Sequence, residues 1–302
     1  MNENTRLWLE KLEQEGQERG YFEPLGDQHS AILTEAGPVL IVTFESIRGI
    51  HCKSLTAEPL GFRMTAANGY SNLCILAHSN TWYRDPDVYA YFDRLIDEGF
   101  FENFDQVVFF GEGMGGYGAT AFSIAAPDAT VLAIQPQATL DPAVVPWDRR
   151  FVGQRRRNFT DRYGYAPDMV AETERAFIIF DPEEDMDAMH ATLFNSANVQ
   201  KLRCPNLGNA ILKSFEEMDI LQPLIEAACT GDMDAQDFFE LYRARLSHGP
   251  YLRALLQRLQ DDDRLLLAAA LCRGAQQSAD SAYFKKHLTQ IRAFLGETAN
   301  SA

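Results

Sequence analysis

Apolar residues in this chain fall into short blocks of two kinds, and their alternation predicts an α/β protein. Residues 38–44 (PVLIVTF), 71–78 (SNLCILAH), 106–110 (QVVFF), 129–135 (ATVLAIQ), 175–180 (RAFIIF) and 198–203 (NVQKLR) form the first kind. Most are apolar throughout, as strands buried on both faces of a parallel sheet are. Between them lie helical stretches at 86–98 (with proline in the first turn), 115–126, 186–195 and 209–228. Ahead of them, residues 5–19 place Leu7, Trp8 and Leu12 on one side of a charged helix. Strands joined by helical crossovers imply a mostly parallel sheet covered on both faces.

The pattern changes twice. Residues 147–174 are polar and irregular, with helix expected from 167 on, and read as a lid-like insertion. From 232 only helical segments remain, at 235–247, 250–260, 262–274 and 279–295, with no nameable repeat. The predicted organisation is an N-terminal helix and lead-in over 1–28, an α/β domain over 29–231 and a helical region over 232–302. That last region is read as a small bundle or docking appendage.

Charge supports the division. The chain has 27 basic and 43 acidic side chains, net −16; residues 232–302 hold nine of each, which leaves 18 against 34 in the remainder. Such acidity argues against nucleic acid and anionic membrane as partners of the whole molecule. Cys52, Cys74, Cys204, Cys229 and Cys272 are scattered and odd in number. They fit reduced thiols in a cytoplasmic protein better than disulfides or a zinc site. There is no apolar run long enough to span a membrane, and the N-terminus lacks the pattern of a secretion signal.

The candidate chemistry starts where strand QVVFF enters Gly111-Glu112-Gly113-Met114-Gly115-Gly116. With the small helix face Gly115, Gly118 and Ala121, this resembles the G-x-S-M-G-G-Y nucleophile elbow of esterase-like α/β-hydrolases, in which a strand-to-helix turn lifts the attacking serine above the sheet. Gly113 stands at the serine position. The resemblance runs over roughly residues 29–226. It implies an oxyanion-hole loop after PVLIVTF, a triad acid at Asp187 (Asp181 the alternative) and a general base where Asn209 stands, after Pro205-Asn206-Leu207-Gly208. Trp82-Tyr83 resembles a pair found at the same place in such proteins, and a packing role is expected for it.

Glycine supplies no nucleophile, and asparagine takes up no proton at neutral pH. The two replacements, at distant motif positions with the elbow glycines kept, point to a pseudo-hydrolase: a non-catalytic protein that keeps the pocket for a small, anionic or other, ligand or for a protein partner. His190 is the substitute base to test, with His78 a weaker one. Glycine also removes the strain of a side chain on the elbow. Gly113→Ser is therefore expected to lower stability, and Gly113→Ser with Asn209→His to recover weak esterase activity. The alternative is an active esterase, acyltransferase or lyase-type enzyme with a rearranged site. A second alternative takes Gly111, Gly113 and Gly116 as a dinucleotide-binding G-x-G-x-x-G, but the next strand ends in Gln135-Pro136-Gln137 without the acidic residue that motif expects.

The N–H groups of Met114 and Gly115 offer a seat for an anion. Arg150 and Arg156 are the candidate ligand-binding cations of a group that also holds Arg149, Arg155, Arg157 and Arg162. For the group as a whole, surface ion pairs with the acidic body are the preferred reading. Glu183, Glu184 and Asp185, near Asp181 and Asp187, lack calcium-loop spacing and read as a solvated loop. No metal site and no cofactor are called for, and self-association stays open.

Overall fold

The computed structural model describes residues 3–53, 57–275 and 280–296; the predicted break at Gln276–Asp280 lies mostly outside them. Helix α1 (Glu3–Arg19) leads into a hairpin of β1 (Gly20–Leu25) and β2 (His29–Thr34). Then follow β3 (Val39–Ser46), α2 (Ile47–Lys53), α3 (Leu60–Asn68), β4 (Ser71–Ala77), α4 (Pro86–Asp97), β5 (Gln106–Glu112), α5 (Met114–Phe122) and β6 (Thr130–Ile134). The insertion carries α6 (Ala166–Val170), after which come β7 (Arg175–Phe180), α7 (Asp185–Leu193), β8 (Val199–Arg203), α8 (Ile211–Glu217) and α9 (Leu221–Cys229). Helices α10 (Ala235–Leu241), α11 (Gly249–Asp261), α12 (Leu265–Gly274) and α13 (Ser281–Phe294) complete the described chain.

One eight-stranded sheet runs in the order β1-β2-β4-β3-β5-β6-β7-β8. Strands β3 to β8 are parallel, and β2 pairs antiparallel with both β1 and β4. The fold is α/β-hydrolase-like, with helices on both faces. Strands β3 to β7 are largely apolar because successive residues serve opposite, covered faces. Phe44, Phe109, Val131 and Ala133 face α4 and α5, while Val108, Phe110, Leu132 and Ile179 face α8 and α9. The second core continues through Phe215, Phe238 and Tyr242 into Leu256, Ala268, Phe284 and Ile291, so α10–α13 share it.

The β1–β2 hairpin is absent from the sequence reading. β1 is an edge strand with a single buried residue, Leu25, and β2 is only six residues long. The stretch 209–228 read as one helix is two, because Asp219 takes a left-handed φ of 56° between α8 and α9.

Candidate functional site

The elbow lies at the C-terminal end of β5, in the middle of the sheet, where open α/β sheets bind ligands. Gly113 has φ 57° and ψ −117°, and its N–H donates to the Ile134 carbonyl at 2.8 Å. This is a left-handed turn that an L-residue occupies only under strain. Gly115, one turn on, sits against the Phe44 carbonyl of β3, so closely that a Cβ would collide with it. By contrast, a Cβ placed on Gly113 would meet no heavy atom within 4 Å. The space a Cβ would occupy is therefore open at the apex of the turn.

The expected acids have separate duties. Asp181, at the end of β7, accepts from the N–H groups of Leu207 (2.9 Å) and Gly208 (2.7 Å) and thereby pins the loop after β8. Burial still pushes its carboxyl above the usual range, with those hydrogen bonds opposing. Asp187, buried in the first turn of α7, receives Gln135 Nε2 at 2.7 Å on one oxygen and Arg150 Nη1 at 2.6 Å on the other. Gln135, itself at a left-handed φ of 49°, also reaches the Gly208 carbonyl at 3.4 Å. Asp187 and the loop that carries Asn209 are thus linked through glutamine. Asn209 itself is exposed, and its side chain has no hydrogen-bond partner among the described residues.

His190 is fully buried against Trp147, with ring centroids 4.7 Å apart. Its Nδ1 accepts from the Ala138 N–H at 3.1 Å, so the proton sits on Nε2, which donates to Asp148 at 3.0 Å. Both nitrogens are occupied, and no lone pair is left for a base. His78, at the end of β4, bonds Ser30 Oγ at 3.0 Å, and burial lowers its pKa.

Arg150, expected among the ligand-binding residues, is committed within the protein. Its Nε and Nη2 bond the buried Asp148 carboxylate at 3.1 and 2.9 Å while Nη1 holds Asp187. Burial opposes its charge, but the two carboxylates more than offset this and raise its pKa. Burial likewise opposes the Asp148 charge, and the hydrogen bonds from His190 and Arg150 hold that carboxyl far below the usual range. Arg156 is exposed and without a bonding partner among the described residues.

Met114 and Gly115 line a cavity of about 100 Å³ between the elbow, the end of β3, α3 and α8, together with Glu45, Ser46, Tyr83 and Glu112. Sequence reasoning passed over Glu45. Its carboxylate accepts from the Leu60 N–H at 3.0 Å at the start of α3, and burial pushes its pKa up. The available signal was a carboxylate closing an otherwise apolar strand. Tyr83 Oη donates to the Glu45 carbonyl at 2.9 Å, and Trp82 packs on Phe151 at 4.7 Å; both residues have left-handed φ. Among the described residues no cluster of His, Cys, Asp or Glu could hold a metal ion, and no helix is long and apolar enough to cross a membrane.

No family model matches the chain, and no curated protein matches it by sequence. Solved structures give distant likenesses. The capsule O-acetyltransferase of Neisseria meningitidis serogroup A is 11% identical over 65% of this chain and 92% of its own, with a TM-score of 0.43. MPT51 of Mycobacterium tuberculosis is 13% identical over 70% and 98%, also with a TM-score of 0.43. The hyperthermophilic esterase of Pyrobaculum calidifontis is 14% identical over 75% and 91%, again at 0.43. The fold is defined by the strand order and by the turn at Gly113.

Proposed function

We propose that this chain is a non-catalytic α/β-hydrolase-like protein, a pseudo-hydrolase. In this reading it keeps the space over its elbow for a small ligand, with an anion on the Met114 and Gly115 N–H groups favoured, or for a protein partner. The observation that carries the reading is the pairing of an intact elbow turn with a glycine at its apex, over open space. The occupied oxygens of Asp187 and the exposed Asn209 support it, since neither a nucleophile nor a relay is assembled. A panel of acyl esters and thioesters tests it: turnover no greater than that of Gly113→Val is expected, and wild-type turnover well above that variant would overturn the reading.

A second reading, an esterase-, acyltransferase- or lyase-type enzyme with a rearranged site, draws on Glu45. A half-buried carboxyl with raised pKa beside a cavity is a usual setting of a general acid. Its bond to the start of α3 already accounts for its position, so this reading ranks second. Turnover abolished by Glu45→Gln would promote it.

A further inference from the structure

The insertion after β6 presents a cationic face that the acidic body leaves unneutralised. Residues 149–157 (RRFVGQRRR) hold five arginines and no acid. Of the six arginines singled out in the sequence, only Arg150 and Arg162 form ion pairs with carboxylates among the described residues, the latter with Asp93 at 3.0 Å. The expected pairing with the acidic body therefore fails for Arg149, Arg155, Arg156 and Arg157. Arg155 bonds the Val145 carbonyl at 2.8 Å and other backbone carbonyls, and Arg157 bonds the Gln154 and Gln28 side chains at 3.0 and 3.3 Å. These partners are neutral and leave the positive charge in place. Arg149 and Arg156 point into solvent.

The same insertion exposes the aliphatic side chain of Val152 (57%) beside these arginines in sequence. It is also held in shape. Arg150 ties it to Asp187, Phe151 packs on Trp82, and Arg84 Nε donates to the Asn158 carbonyl at 2.8 Å. A surface fixed before binding loses little conformational entropy on binding. Guanidiniums suit carboxylates and phosphates alike, so other features must choose between them. None of the insertion's aromatics is fully exposed as a platform for stacking bases: Phe159 and Tyr163 are buried, and the half-buried Phe151 and Trp147 pack on Trp82 and His190. The net charge of −16 repels a long polyanion, whereas a short acidic segment engages the patch within a Debye length of about 10 Å.

We infer that the surface of the insertion carrying Arg149, Val152, Arg156 and Arg157 docks a short acidic segment of another protein, one that interleaves aliphatic side chains with its carboxylates. This inference stands apart from the reading of the elbow. The experiment is fluorescence anisotropy on the full chain. The probes are a labelled peptide of glutamate pairs alternating with leucines, an all-glutamate peptide of equal charge and dodecathymidylate. The leucine-containing peptide is expected to bind best. It should weaken as salt rises, and by about tenfold in Arg149→Glu/Arg156→Glu, a fold-change in the range of a few exposed ion pairs. Val152→Ser should weaken the leucine peptide and leave the all-glutamate peptide unchanged. A melting temperature equal to wild type confirms that both variants fold. Absence of peptide binding, unchanged binding by the double variant or tighter binding of the oligonucleotide would each overturn the inference. Salt-sensitive self-association abolished by the double variant would also overturn it, since the occupant would then be a second copy.

Discussion

Replacing Gly113 with serine puts back the atom that hydrolysis would need, and the geometry gives the cost. A Cβ at this position meets no heavy atom within 4 Å, so that atom adds no steric cost. What remains is the backbone: φ 57° and ψ −117° cost an L-residue on the order of 1–3 kcal/mol. Loss of glycine's freedom in the unfolded chain returns about 0.4–1 kcal/mol. The net destabilisation is about 1–2 kcal/mol, or roughly 2–4 °C in melting temperature for a chain of this size. Because the cost is conformational, Gly113→Ala should match Gly113→Ser to within about 0.5 kcal/mol. Urea titration of the three proteins measures this directly. A serine variant as stable as wild type, or a large gap between Ala and Ser, would refute the reasoning.

Three further expectations concern the surrounding network. Sequence alone suggests that Gly113→Ser/Asn209→His restores weak esterase activity, but Arg150 and Gln135 already occupy both oxygens of Asp187. The double variant should therefore hydrolyse p-nitrophenyl acetate no faster than Gly113→Ser, and a clear gain would show that Asp187 changes partners. Arg150→Met leaves the buried Asp148 and Asp187 carboxylates without their shared cation, with only His190 and Gln135 as side-chain partners, and should cost about 2–3 kcal/mol at pH 7. Asp148 has a depressed folded pKa, so its contribution is complete above about pH 5 and is lost as pH falls through the folded value. The acid limb of stability, followed by urea titration at decreasing pH, should be shallower in the variant, and parallel limbs would contradict the pairing. Glu45 has a raised pKa, so its ionisation destabilises the fold as pH rises through and above the usual carboxylate range. Glu45→Gln should thus gain stability relative to wild type as pH rises above the usual carboxylate range, and a difference that does not change with pH would show that its charge is not opposed by burial.

The sheet was legible where each strand carries its own signal. Strands β3 to β7 are buried on both faces and therefore read as apolar runs, and the elbow glycines are fixed by close approach and backbone angle. Asp187 and Asn209 were found because their positions follow strand ends. The clamp around Asp187 was not legible, because Arg150 and Gln135 lie 37 and 52 residues away in sequence and only the folded chain brings them together. Nor was the isolation of the insertion's arginines, since composition counts charges without placing them. The left-handed turn at Asp219 escaped for the reason that aspartate tolerates both helix and turn.

The most direct test of the pseudo-hydrolase reading is intact-mass analysis after incubation with a fluorophosphonate, run beside Gly113→Ser. The wild-type mass should be unchanged, and no acyl ester should be turned over in parallel. A stoichiometric adduct on the wild-type protein, mapped to a residue bordering the elbow and accompanied by ester turnover, would contradict it.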